Sequence, residues 1–137
     1  MTCQCRILHF CAIAIFAALG LSACASIEYH PHVGDEQILQ GTGGALDEFD
    51  GVEFWVKGAP NKPYQVIGYI DGEFDDEWPA EDSLRSQISA KVKEIGGDGV
   101  VLNKRTTKWG GTYVINGVAY DGSDEIFDEY TVFRYVR

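Results

Sequence analysis

Hydrophobic and polar positions recur along this chain with two different periods, and the changes of period mark its elements. From Val52 to Val56 the side chains alternate, with Val52, Phe54 and Val56 on one side and Glu53 and Trp55 on the other, which is the two-residue period of a strand. After a break at Pro60, Asn61, Lys62 and Pro63, the run Tyr64 to Ile70 is rich in Val, Ile and Tyr and predicts a second strand, so the pair reads as a hairpin with a proline-stiffened loop. Leu84, Ile88, Val92 and Ile95 then recur at spacings of four, four and three. That places four aliphatic side chains on one helical stripe, turns Arg85, Lys91 and Lys93 toward solvent, and predicts a helix from about Glu81 to Ile95. Asp82 or Ser83 can cap its start, and Gly96 and Gly97 suit a left-handed stop.

Beyond the helix, Val100, Val101 and Leu102 begin a third strand that runs into Lys104, Arg105 and Lys108, and Gly110 and Gly111 mark a turn. Thr112 to Ile115 and Val118 to Tyr120 flank Asn116 and Gly117, a pair that accepts the positive φ angles of a tight hairpin turn. A final strand is expected from Tyr130 to Val136, after an acidic loop from Asp121 to Glu129 that matches a second such loop from Asp71 to Asp82. The summed pattern predicts an α+β domain over residues 52–137, with one helix packed on a small antiparallel sheet of about four to six strands.

Residues 25–51 show no sustained period, contain Gly41, Gly43 and Gly44 with Asp47, Glu48 and Asp50, and read as a flexible tether. Before them, Arg6 precedes an apolar run from Ile7 to Leu19 that is interrupted by His9 and shorter than the roughly 20 residues a membrane-spanning helix needs. This is the layout of a secretory signal peptide. Its last residues, Leu21, Ser22, Ala23 and Cys24, resemble the lipobox of bacterial lipoproteins. The resemblance implies a diacylglycerol on the Cys24 thiol, cleavage just before it and acylation of the new amino group. Two or more acyl chains hold a protein stably on a membrane. The expected plan is a lipoprotein signal peptide over residues 1–23, a lipidated tether over 24–51 and the domain over 52–137. By the sorting rule of those lipoproteins, Ala25 and Ser26 in place of an aspartate imply the outer membrane, on its periplasmic face.

Charge and composition narrow the chemistry. The chain carries 21 Asp and Glu against 11 Lys and Arg, and loss of residues 1–23 would remove one arginine and no acid. Such a surface repels phosphate backbones and argues against nucleic acid as a partner. Three of the four cysteines lie in the signal segment, so Cys24 is the only thiol expected to remain and no disulfide or thiolate metal site can form. His30 and His32, the histidines outside that segment, fall in the expected tether, which leaves the domain no Ser/His/Asp or Cys/His triad. Neither an enzyme nor a cofactor is expected. Asp71, Glu73, Asp75 and Glu77 alternate in the manner of a calcium loop, although Asp76 and Asp82 stand where such a loop needs Gly and prefers Glu. Trp78 and Trp109, with Phe74, sit beside charge in expected loops, where an aromatic outside the core serves as a partner anchor.

Two further stretches, Tyr64 to Gly68 and Ala90 through Gly96, Gly97, Asp98 and Gly99 to Leu102, resemble small bacterial envelope domains. These share the fold of the Rcs stress-sensor lipoprotein and of the YbjQ-like family, in which a strand ending near Ile and Gly leads to a helix closing in Gly, Ala, Asp, Ala and Val. The resemblance spans about residues 52–136 and implies a fold rather than a reaction. Gly97 and Gly99 depart from it where alanine is usual, and the cysteines of the Rcs sensor are missing. Asp98 is expected to bond backbone amides of its own turn. The function expected is that of a membrane-anchored lipoprotein acting as a non-enzymatic protein-binding or envelope-sensing module, with an envelope protein as partner. The alternative is a periplasmic domain that binds divalent metal through its acidic loops.

Overall fold

The computed structural model describes residues 25–137, and the expected signal segment and Cys24 lie outside the described residues. In chain order these residues form β1 (Ala25–Pro31), β2 (Ile38–Leu39), β3 (Gly43–Phe49), β4 (Val52–Ala59), β5 (Tyr64–Asp75), helix α1 (Ala80–Glu94), β6 (Gly99–Lys108), β7 (Thr112–Ile115), β8 (Val118–Asp121) and β9 (Glu125–Tyr135). Seven strands make one sheet in the order β1-β5-β9-β6-β4-β3, with β2 also paired to β5, and β7 with β8 forms a separate two-stranded ribbon.

This architecture corrects three expectations. The sheet is larger than four to six strands and is mixed rather than antiparallel, because β4 and β6 run parallel through Glu53↔Gly99, Phe54↔Val100 and Trp55↔Val101. β4 and β5 are not a hairpin, since β9 and β6 lie between them. Residues 25–51 are not a flexible tether: they supply β1, β2 and β3. β1 pairs with β5 from Ala25↔Phe74 to Pro31↔Gly68, and β3 pairs with β4 from Gly43↔Ala59 to Phe49↔Val52. Both are edge strands held chiefly by main-chain hydrogen bonds, so few of their side chains are buried and no hydropathy period announces them. The glycines here serve close approach, for a Cβ on Gly44 would lie 1.9 Å from the Lys57 carbonyl oxygen across the β3–β4 pair.

One face of the sheet meets α1. Ile70, Gly72 and Phe74 of β5 point toward the helix, which returns Leu84, Ile88 and Val92, and Phe54, Val100 and Val132 complete the core. Burying each of these aliphatic side chains is worth roughly 1.5–3 kcal/mol. Gly72 lets the helix sit close, since a Cβ there would meet Leu84 Cδ1 at 2.9 Å. The helix begins without a side-chain cap, with Pro79 at the capping position in place of Asp82 or Ser83. It ends at Gly96, whose φ of 71° is the left-handed stop the sequence predicts. Arg85 is turned back from solvent over Phe54 and donates to Asp47 Oδ2 at 2.6 Å, which ties β3 to the helix and holds the Asp47 carboxyl below the usual carboxylate range.

The opposite face carries a smaller core of Trp55, Tyr64, Val66, Val101 and Phe133, with Ala59 and Tyr135 packed against it. Glu53 Oε2 accepts from Trp55 Nε1 at 2.9 Å and from the Tyr135 hydroxyl at 2.5 Å, so the polar edges of both rings are satisfied. Asp98 Oδ2 accepts from the backbone N–H of Tyr135 at 2.8 Å. It therefore fastens the exit of α1 to β9 rather than closing its own turn.

Candidate functional site

The alternating carboxylates lie along a strand, not in a loop. Asp71, Glu73 and Asp75 belong to β5, because the ladder to β9 continues through Asp75↔Glu125. Successive same-side residues of a strand stand nearly 7 Å apart, which spreads these groups out instead of converging them. Asp71 and Glu73 join Glu28 and Glu129 along an open groove of about 600 Å³. His30 Nε2 is 3.2 Å from Asp71 Oδ2, whereas His32 Nε2 contacts the Asp35 carbonyl at 2.9 Å, so the two imidazoles serve different partners. Glu77 lies beyond the strand, in the turn before α1. Among the described residues no group of three or more His, Cys, Asp or Glu side chains is placed to hold a metal ion.

On the helix side of the same strands is a charged cluster. Asp128 has a side chain with 0% exposure and accepts from Arg105 Nε and Nη2, both at 2.7 Å, and from the Tyr130 hydroxyl at 2.8 Å. Arg105 also reaches Glu81 Oε1 at 3.4 Å, which links β6 to the first turn of α1. The hydrogen bonds that Arg105 donates to Asp128 raise its pKa further, and burial, then the Asp128 charge, pushes the Tyr130 phenol above its ordinary range. The Arg105 guanidinium lies 5.5 Å from the ring centre of Phe74. Phe74 itself is 2% exposed, so it is a core residue and leaves the expected anchor set. The cluster joins strand, strand and helix, and its acceptors are already engaged.

The two tryptophans behave differently. Trp78 is 89% exposed in the turn between β5 and α1, and Trp109 is 71% exposed just after β6. Both belong to one end of the sheet: Asp75 pairs with Glu125, Glu125 pairs with Lys108, and Asp75 lines the recesses beside each indole. The β7–β8 ribbon springs from this end. Its turn uses Asn116 at φ 50° and Gly117 at φ 80°, and Tyr113 stacks on Tyr120 across the strands with ring centres 5.7 Å apart. Tyr113, Val114, Ile115, Val118 and Tyr120 are between 46% and 66% exposed, so the ribbon presents apolar side chains on both faces.

Short contacts hold the ribbon in place. Asp76 N–H donates to the Asp124 carbonyl at 2.8 Å and Gly122 N–H to the Gly111 carbonyl at 2.7 Å. Gly110 is required here, because a Cβ would fall 2.0 Å from the Ser123 carbonyl oxygen. β1 also starts at this end, with Ala25 opposite Phe74 and its carbonyl accepting from Gln87 Nε2 at 2.9 Å.

No protein-family model matches the chain, and no solved structure matches it. Its geometry singles out one candidate surface: exposed Trp78 and Trp109, the ribbon at their end of the sheet, and the strand that brings Ala25 to the same end.

Proposed function

We propose that this chain is a bacterial lipoprotein, lipidated on Cys24 and held at the periplasmic face of the outer membrane, that acts as a non-enzymatic binding and envelope-sensing module. The observation that carries the binding role is the end bearing Trp78, Trp109 and the β7–β8 ribbon, where large apolar side chains stay exposed although the chain has two cores that could have received them. A contiguous exposed apolar patch marks an interaction surface. The lipobox-like run from Leu21 to Cys24 supports the address. The strand β1 changes the geometry of that address: with Ala25 already paired to Phe74, the head begins one residue after the anchor. Binding then takes place at the membrane surface rather than at the reach of a tether.

The test is Cys24→Ala in the native host. Incorporation of labelled fatty acid should be abolished and the protein should leave the membrane fraction. Persistence of either would overturn the anchor.

A further inference from the structure

We infer that Trp78, Trp109 and the β7–β8 ribbon form a lipid-docking face, seated in the headgroup layer of the same bilayer that holds the Cys24 acyl chains. The inference rests on Cys24 being the lipidated residue, and it names the occupant of the exposed end.

The position of Ala25 carries it. Ala25, the residue to which Cys24 is bonded, is itself paired with Phe74, which adjoins Asp75 and the recesses beside both indoles. β1 is paired to β5 from Ala25 onward, and Gln87 of α1 holds the Ala25 carbonyl. No slack chain lies between the lipid and the fold, so insertion of the acyl chains brings this end of the sheet to the membrane before any protein partner arrives.

The side chains suit that contact. Indole and phenol rings, with an apolar body and a polar edge, concentrate at the membrane–water interface, and Val114, Ile115 and Val118 add aliphatic surface beside them. The charges at the same end select among lipids. Asp76, Glu77, Asp121 and Asp124 outnumber Lys108, which is itself paired to Glu125, at this end, and a surface of this net sign is repelled by anionic headgroups. The face therefore fits zwitterionic lipid.

The experiment uses the full lipidated protein in phosphatidylethanolamine and phosphatidylcholine vesicles whose acyl chains carry bromine, which quenches nearby indoles. Trp55, packed in the second core, is an internal control that the label should not reach. Emission should fall roughly twofold, two of the three indoles being within reach of the label, and Trp78→Phe with Trp109→Phe should abolish the fall. Replacing part of the lipid by phosphatidylglycerol should weaken the quenching, and a strengthening would overturn the stated lipid class. If mass spectrometry finds Cys24 acylated while Trp78 and Trp109 stay open to aqueous iodide and untouched by bromine, the docking face is wrong and the anchor stands. If Cys24 carries no lipid, the anchor fails and the inference fails with it. Indoles shielded from iodide but not quenched by bromine would show a second copy on this end and would also overturn the proposal.

Discussion

The two halves of the β6–β9 ladder are built on different principles. In the first, Gly99 to Leu102 faces Tyr130 to Phe133, with Val100 and Val132 packed under α1 and Val101 and Phe133 packed on the other side beside Trp55 and Tyr64. Past the irregularity at Leu102/Lys104 the strands keep pairing, but Lys104, Arg105 and Lys108 now face Glu129, Asp128 and Glu125. Of these three ion pairs only Arg105–Asp128 involves a wholly buried carboxylate. The sheet is thus a packed body in one half and a charged stem in the other. The stem still buries Ile126 in the core under α1, and its charged pairs carry the chain on from there to Trp109 and the ribbon.

Three changes probe that contrast. Phe133→Ala should have the largest effect, because the ring lies about 5 Å from those of Tyr64 and Tyr135 (5.2 and 5.3 Å between centres) at the heart of the second core. Truncating a buried Phe costs about 3–5 kcal/mol, a large share of the 5–15 kcal/mol by which domains are stable. Urea unfolding measures it, and a loss below that of an exposed charge variant would show that burial does not hold this half. Arg105→Ala comes next, at about 3 kcal/mol, the low end for breaking a buried ion pair because water reaches the arginine side. Lys104→Ala, which breaks an exposed pair, should cost about 0–1 kcal/mol. Equal losses in the two would erase the distinction between the buried pair and its exposed neighbours.

Alkaline pH should weaken the fold at two tyrosines. The Tyr130 phenol, beside Asp128, and the Tyr135 phenol, beside Glu53, are both raised above the ordinary range, in each case first by burial. A free tyrosine ionises near pH 10, so above that pH the unfolded chain releases protons that the folded chain keeps. Their stabilisation is complete below about pH 10 and is lost progressively as the pH climbs from there toward the raised values. Urea midpoints measured at intervals from pH 8 to pH 11 should fall at the alkaline end, and Tyr135→Phe should make the fall shallower. A slope unchanged in that variant would remove Tyr135 as a cause.

The sequence displayed these halves unequally. α1, predicted from Glu81 to Ile95, runs from Ala80 to Glu94, because one aliphatic stripe meets one core and leaves a clean period. The β7–β8 turn was legible in Asn116 and Gly117, since backbone geometry alone dictates those residues. Strands β1 and β3 were not legible: an edge strand gains its place through main-chain hydrogen bonds to a partner far away in the chain. The charged stem hid for a different reason. Acidic and basic runs read as loops when taken singly, yet the basic residues at 104, 105 and 108 mirror acids at 129, 128 and 125, the constant register of an antiparallel ladder. That symmetry was the available signal for Arg105 and Asp128. Extending β5 through Asp75 likewise sets Phe74 on the same face as Ile70, which is why it joins the core while Trp78 and Trp109, beyond the strands, stay outside.

The smallest effect on stability should come from the residues given the largest role in binding. Trp78→Ser and Trp109→Ser remove side chains that are mostly in solvent, and substitutions at such positions usually change stability by no more than about 0.5 kcal/mol. Neither residue belongs to a core cluster, and the ribbon is held at its base by main-chain contacts such as Asp76 to Asp124 and Gly122 to Gly111, which both substitutions leave in place. The double variant should therefore unfold at the same urea concentration as the parent while losing its contact with the bilayer. Equal unfolding midpoints are the discriminating result. A marked drop would mean that the indoles pack against something in the folded protein, making them a covering for the stem and not a surface held ready for the membrane.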